Sequence, residues 1–120
     1  MQRFFFAALA LNAALAHAGQ PERLYQTAWC KQAKGQTEVV LSDRTRVDCL
    51  TSTHAVEFDF ARKWSEAIGQ SLGYAIETNK RAGIALIIEN NSDYKYWIKL
   101  NSIIERYELP IDTWIIEPKK

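Results

Sequence analysis

Apolar residues recur along this chain in two rhythms, and the switches between them mark out its elements. Over residues 60–76, Phe60, Ala61, Trp64, Ala67, Ile68, Leu72 and Ala75 fall close to a 3.6-residue spacing, which predicts the strongest helix. Residues 21–33 predict a first helix, with Pro21 at its start, Gly35 beyond its end, and Leu24, Ala28 and Trp29 as a partial apolar stripe. A third helix is predicted from Ser92, a suitable cap, to Tyr107, with Trp97, Ile98, Ile103, Ile104 and Tyr107 in the core and Pro110 ending the segment.

Between these helices the period shortens to two. Residues 37–41, 46–50 and 54–58 predict three strands, joined by turns at Ser42-Asp43-Arg44 and Ser52-Thr53. Residues 79–83 read as a turn, 84–88 as a strand apolar on both faces, and Ile111–Ile116 as the last strand before a frayed tail of Pro118, Lys119 and Lys120. The order is α-β-β-β-α-β-α-β. An antiparallel meander, a crossover helix and further strands predict one small α/β (α+β) domain, a mixed central sheet flanked by helices. No internal repeat, linker or low-complexity segment divides it.

The chain opens MQRFFFAALALNAALAHAG, with Arg3 ahead of an apolar run and Ala16-His17-Ala18 as a small-x-small cleavage site. That pattern predicts a secretory signal peptide over residues 1–18 and an exported, soluble domain over 19–120, periplasmic or secreted, with no membrane anchor. The chain carries 15 Lys and Arg against 14 Asp and Glu, so loss of Arg3 leaves no net basic field to attract nucleic acid. Any attraction to a phosphate backbone would be local.

Cys30 and Cys49 are the only cysteines. An even count in an exported domain predicts one disulfide, with two buried thiols as the alternative. His54 is the one histidine beyond the leader, which argues against a His-rich zinc site or a Ser-His-Asp triad, and it reads as a surface residue beside a turn. Trp64, Trp97 and Trp114 fall at core positions, and Trp29 is uncommitted.

The segment RVDCLTSTHAVEFDFARKW brings candidate chemistry. A turn at Ser52-Thr53 sets Asp48 opposite Glu57 and Arg46 opposite Asp59 on one face, leaving Val47, Cys49, Val56 and Phe58 on an apolar face where Cys49 meets Cys30. Opposed carboxylates about 5 Å apart destabilise a sheet unless something cationic lies between them. A divalent ion with oxygen ligands, Mg²⁺ or Mn²⁺, answers that, and so does a solvated face relieved by Arg46 or Lys63. On the following helix Lys63, Glu66, Gln70 and Tyr74 form a polar stripe spanning roughly 80°.

An Asp, then an acid on the next strand, then Gln-x-x-x-Tyr on the helix after it resembles the PD-(D/E)XK nuclease superfamily, its RecB-like and resolvase-like branches above all. The resemblance covers most of residues 19–120 in element order and residues 46–74 in motif. It implies a restriction-endonuclease-like fold and Mg²⁺-dependent hydrolysis of phosphodiester bonds in nucleic acid. Carried across, Asp48 in RVDCL and Glu57 in AVEFD match the metal-binding acids, and Gln70 and Tyr74 in GQSLGYA match the helical pair. Glu22 matches an acid that some members carry on the first helix. Asp59 stands where the family places its lysine; Lys63 matches members that move it onto the helix, and Arg46 is a second candidate. Two other readings remain: a catalytically inactive nuclease-like binding module, and a small exported, disulfide-stabilised interaction or inhibitor protein.

Overall fold

A computed structural model describes residues 20–117. The leader expected over residues 1–18 and the tail at residues 118–120 lie outside them. The elements are α1 (Glu22–Gln32), β1 (Gln36–Val40), β2 (Arg46–Leu50), β3 (His54–Phe60), α2 (Trp64–Thr78), β4 (Arg81–Ile87), α3 (Tyr94–Arg106) and β5 (Ile111–Ile116). The domain is α+β with a five-stranded mixed sheet in the order β1-β2-β3-β4-β5. Short turns return β1, β2 and β3 antiparallel, whereas α2 and α3 carry the chain back so that β3, β4 and β5 run parallel.

Each face of the sheet has its own core. On one face α2 and α3 cover Ala82, Ile84 and Leu86 through Ala67 and Leu100, with Trp64 and Trp97 packed alongside. On the other face α1 sets Tyr25 and Cys30 against Cys49, Val56, Phe58, Ala85 and Ile87, with Trp29 and Trp114 beside them. Cys30 and Cys49 form the expected disulfide, both fully buried. Among the described residues no helix is long and apolar enough to cross a membrane.

Several local expectations are corrected. β3 runs to Phe60, and a 3-10 turn at Ala61–Lys63 precedes α2, so that helix begins at Trp64. β4 begins at Arg81 inside the expected turn, because Gly83 is there for space: a Cβ on it would lie 2.7 Å from Trp114 Cζ3 and 3.2 Å from Val56 Cγ2. Ser92 does not cap α3, which starts with no side-chain cap; instead Asn90 and Asp93 form a capping box on the 3-10 turn Asn91–Asp93 before it. Leu24, Ile98 and Tyr107 are exposed, since α1 docks through Tyr25, Gln26 and Cys30, and α3 through Leu100. His54 is half-buried, its Nε2 2.7 Å from the Asp112 carboxylate that Arg81 also grips, so it ties together the starts of β3, β4 and β5.

The packing at Gly83 gives a direct test. Gly83→Ala is expected to destabilise the domain by about 1–3 kcal/mol, because the indole of Trp114 has to give way to the new methyl. Urea unfolding followed by tryptophan fluorescence measures it, and an unchanged midpoint contradicts the packing described.

Candidate functional site

The hairpin of β2 and β3 has the register its turn predicts, with Cys49 paired to Val56 and Leu50 to Ala55. Thr51 shapes the turn: its hydroxyl accepts the N–H of Thr53 at 3.2 Å and of His54 at 2.9 Å. One residue beyond the Cys49 pair, the Asp48 carboxylate takes the Phe58 N–H at 2.7 Å. A side chain there does what a backbone carbonyl does in a regular ladder. This holds Asp48 tightly against β3 beside Glu57.

Strand alternation then sends Glu57 and Asp59 to the face covered by α2, while Val56 and Phe58 go to the α1 face. The two acids are only 5% and 7% exposed, so the solvated-face reading of the hairpin does not hold. Buried carboxylates with no counter-charge are costly, and they respond by holding protons. Burial, the charges of Asp48 and Asp59 and hydrogen bonding to both raise the Glu57 pKa far above its ordinary value. The nearby Glu57 carboxyl opposes part of the upward push of burial on Asp48 and Asp59. Crowding and burial thus favour protonation within this group of carboxyls, most strongly at Glu57.

Three further groups close on this cluster. Glu22, in the first turn of α1, is pushed up to about 7 by burial, then by Asp48 and Asp59, against the pull of Lys63. Lys63, exposed at the entry to α2, favours the ionised forms of both Glu22 and Asp59. Tyr74, three turns along α2, is raised by burial and then by the nearby charges of Glu57 and Asp48. The structure therefore brings together Glu22, Asp48, Glu57, Asp59, Lys63 and Tyr74.

Two expected members stand apart. Arg46 does not face Asp59; its guanidinium reaches Glu38 on β1 at 3.4 Å, because Arg46 lies at the exposed end of β2. Gln70 is exposed on α2, one turn before Tyr74, and no hydrogen bond links it to the acids. Two residues went unnoticed in the sequence. Gln26 is buried on α1, its Nε2 donating to Glu38 at 2.6 Å and to the Asp48 carbonyl at 3.1 Å. Glu38 is held at φ 55° inside β1, a left-handed conformation unusual for a residue with a side chain. The legible signal was spacing: Glu22, Gln26 and Cys30 sit four apart on one helical face.

Among the described residues no three His, Cys, Asp or Glu side chains are disposed as a ready three-ligand metal cage. The cluster as it stands is a crowded set of carboxyls with the exposed Lys63 nearby.

The raised carboxyls fix a pH dependence. Glu22 binds its proton more tightly in the folded state than at the ordinary value of 4.5, so its contribution is fully present below that value and is lost as pH rises through about 7. Asp48, Glu57 and Asp59 act in the same direction. Asp43 and Asp112, whose pKa values are lowered, act oppositely only at lower pH. In chelator, the urea midpoint is therefore expected to be higher at about pH 5 than at about pH 8. The reverse order contradicts the burial of these acids.

No protein-family model, no curated protein and no solved structure matches this chain.

Proposed function

We propose that this domain is an exported, metal-dependent nuclease with a restriction-endonuclease-like fold, hydrolysing phosphodiester bonds of nucleic acid. The observation that carries the reading is the burial of Glu57 and Asp59 against Asp48, with charge relief for Asp59 coming only from the exposed Lys63 and Arg62. Such crowding destabilises a fold, and a site that takes a divalent cation gives it a purpose.

The donor set fits Mg²⁺ or Mn²⁺. Asp48 and Glu57 supply hard carboxylate oxygens, and Mg²⁺ is commonly held by one or two carboxylates with waters completing its shell. A bound ion lowers the pKa of a water and draws charge off the scissile phosphate. Asp48 is already oriented by the Phe58 N–H. As a ligand, Glu57 would be held in its ionised form, its proton released to solvent on metal binding. Lys63, at the mouth of the cluster, orients the attacking water or offsets charge developing on the phosphate. Gln70, on the exposed flank of α2, contacts the substrate backbone. Glu22, on α1, adds a further acid beside the pair without completing a three-ligand set. The buried disulfide fits an oxidising compartment, periplasmic or extracellular, where the substrate is nucleic acid outside the cytoplasm.

One observation favours a second reading, a nuclease-like binding module without activity: Asp59 stands where the superfamily has its lysine, and it is buried inside the cluster. Cleavage decides between them. The oxidised domain is incubated with plasmid, linear duplex, single-stranded DNA and RNA in Mg²⁺ or Mn²⁺ and in chelator. Metal-dependent cutting is expected, falling about a hundredfold or more in Lys63→Ala with folding unchanged, since Lys63 is exposed. Wild-type activity in Lys63→Ala removes the role of that lysine. No cutting of any substrate leaves the binding module.

A further inference from the structure

We infer that Gln26 and Glu38 are positioning residues for Asp48: Glu38 fixes the orientation of the Gln26 carboxamide, and Gln26 holds the Asp48 backbone so that its carboxylate stays beside Glu57. This inference rests on the nuclease reading and extends it to two residues that need not touch metal or substrate.

The geometry is specific. The β1–β2 ladder pairs Thr37 with Cys49 and Val39 with Val47, which sets Glu38 opposite Asp48 with no residue inserted. At that one place β1 adopts φ 55°. A non-glycine residue in the left-handed region persists only where its surroundings over-determine it, and such residues cluster at functional sites. Here the Glu38 carboxylate is held from both sides, by Gln26 Nε2 at 2.6 Å and by Arg46 at 3.4 Å.

Gln26 is 2% exposed, and its Nε2 faces two acceptors, the Glu38 carboxylate and the Asp48 carbonyl. With two acceptors in front of it, only the nitrogen end of the amide suits that position. Asp48 is thereby held at both ends. Its carbonyl accepts from Gln26, and its carboxylate accepts from Phe58 N–H at 2.7 Å. Gln26 also lies one helical turn from Glu22, so the same bond sets the rotation of α1 that keeps Glu22 in the cluster. Ordinary burial explains neither the left-handed backbone at Glu38 nor a buried amide spent on the carbonyl of Asp48, whose side chain reaches from β2 to β3.

The test uses Gln26→Glu, Glu38→Gln and the double variant, each in the full oxidised domain. Gln26→Glu keeps the shape but sets a carboxylate against both acceptors. Cleavage in Mn²⁺ is expected to show kcat about ten- to a hundredfold lower with KM unchanged. Hydrogen exchange of the metal-free protein is expected to show a faster Phe58 amide, with the β4 amides unchanged. Glu38→Gln should have a smaller effect of the same kind. The double variant restores the contact between positions 26 and 38 but not the donor to the Asp48 carbonyl, so kcat is expected to stay low. Full recovery in the double variant would overturn the inference, because the 26–38 contact alone would then suffice. So would a Gln26→Glu protein with wild-type kcat, or one whose Phe58 amide exchanges as in wild type. If Gln26→Glu fails to fold, the Glu38→Gln protein carries the same two readouts. A wild type that cuts nothing sinks the nuclease reading itself, an outcome distinct from any result confined to the variants.

Discussion

Glu57→Gln is expected to melt at a higher temperature than the wild type near pH 8 in chelator, and to lose metal-dependent cleavage altogether. The two effects have one origin. Glu57 is almost fully buried between Asp48 and Asp59, and its ionised form is opposed by burial and by both neighbours. Near pH 8 that opposition weakens the fold. An amide of the same shape cannot ionise in the unfolded chain, and it still offers hydrogens to its two acidic neighbours. The gain is expected at about 1–2 kcal/mol, typical of sites where stability has been given up for function. Calorimetry at about pH 8 and about pH 5 separates the causes: the gain should shrink at the lower pH, close to the ordinary carboxyl value, where ionising Glu57 in the unfolded chain favours unfolding much less. A variant less stable than wild type at both pH values would mean that Glu57 is a structural hydrogen-bonding residue.

Removing the disulfide has the second large effect. Cys30 and Cys49 are 19 residues apart in sequence, and closing a loop of that size contributes about 3 kcal/mol in the chain-entropy description. The loss should fall unevenly across the fold. α1 has 11 residues and no side-chain cap at its start, so it depends on docking. Its docked face is Tyr25, Gln26 and Cys30. In Cys30→Ala/Cys49→Ala, hydrogen exchange should accelerate in α1 well before β4. Cleavage should fall with it, as Glu22 and Gln26 lose their place beside Asp48. Equal acceleration in α1 and β4 would show that the bridge holds the whole domain rather than this helix. Gly35 belongs to the same device. A Cβ there would lie 2.8 and 2.9 Å from the two sulfurs, so glycine is required for room beside the bridge, while Lys34 supplies the left-handed turn after the helix.

Much of this was legible along the chain, and the exceptions have physical causes. The 3.6-residue pattern of residues 60–76 located α2, and the turn at Ser52-Thr53 gave the β2–β3 register that pairs Cys49 with Val56. That register sorts Glu57 from Phe58 and fixes the two faces of the hairpin. The start of β4 was misplaced because Gly83 reads as a turn residue in isolation; only the parallel neighbour β5 brings Trp114 over it. Burial of the acids was hidden for a similar reason. Alternation along β3 says that Glu57 and Asp59 share a face, but not that α2 closes over it. Glu38 and Gln26 were harder still, since their roles depend on α1, β1 and β2 meeting at Asp48, three elements whose mutual placement no local pattern encodes. Arg46 was assigned to Asp59 by strand register, yet a long side chain at an exposed strand end took the other neighbour, Glu38.

The most direct measurement is a calorimetric titration of the oxidised, metal-free domain with Mn²⁺ near neutral pH, wild type beside Glu57→Gln. If the buried acids exist to receive a divalent cation, the wild type binds Mn²⁺ and the variant, equally well folded, binds it at least about tenfold more weakly. Absence of binding to the wild type, or equal binding by both proteins, would contradict the metal site and with it the proposed nuclease.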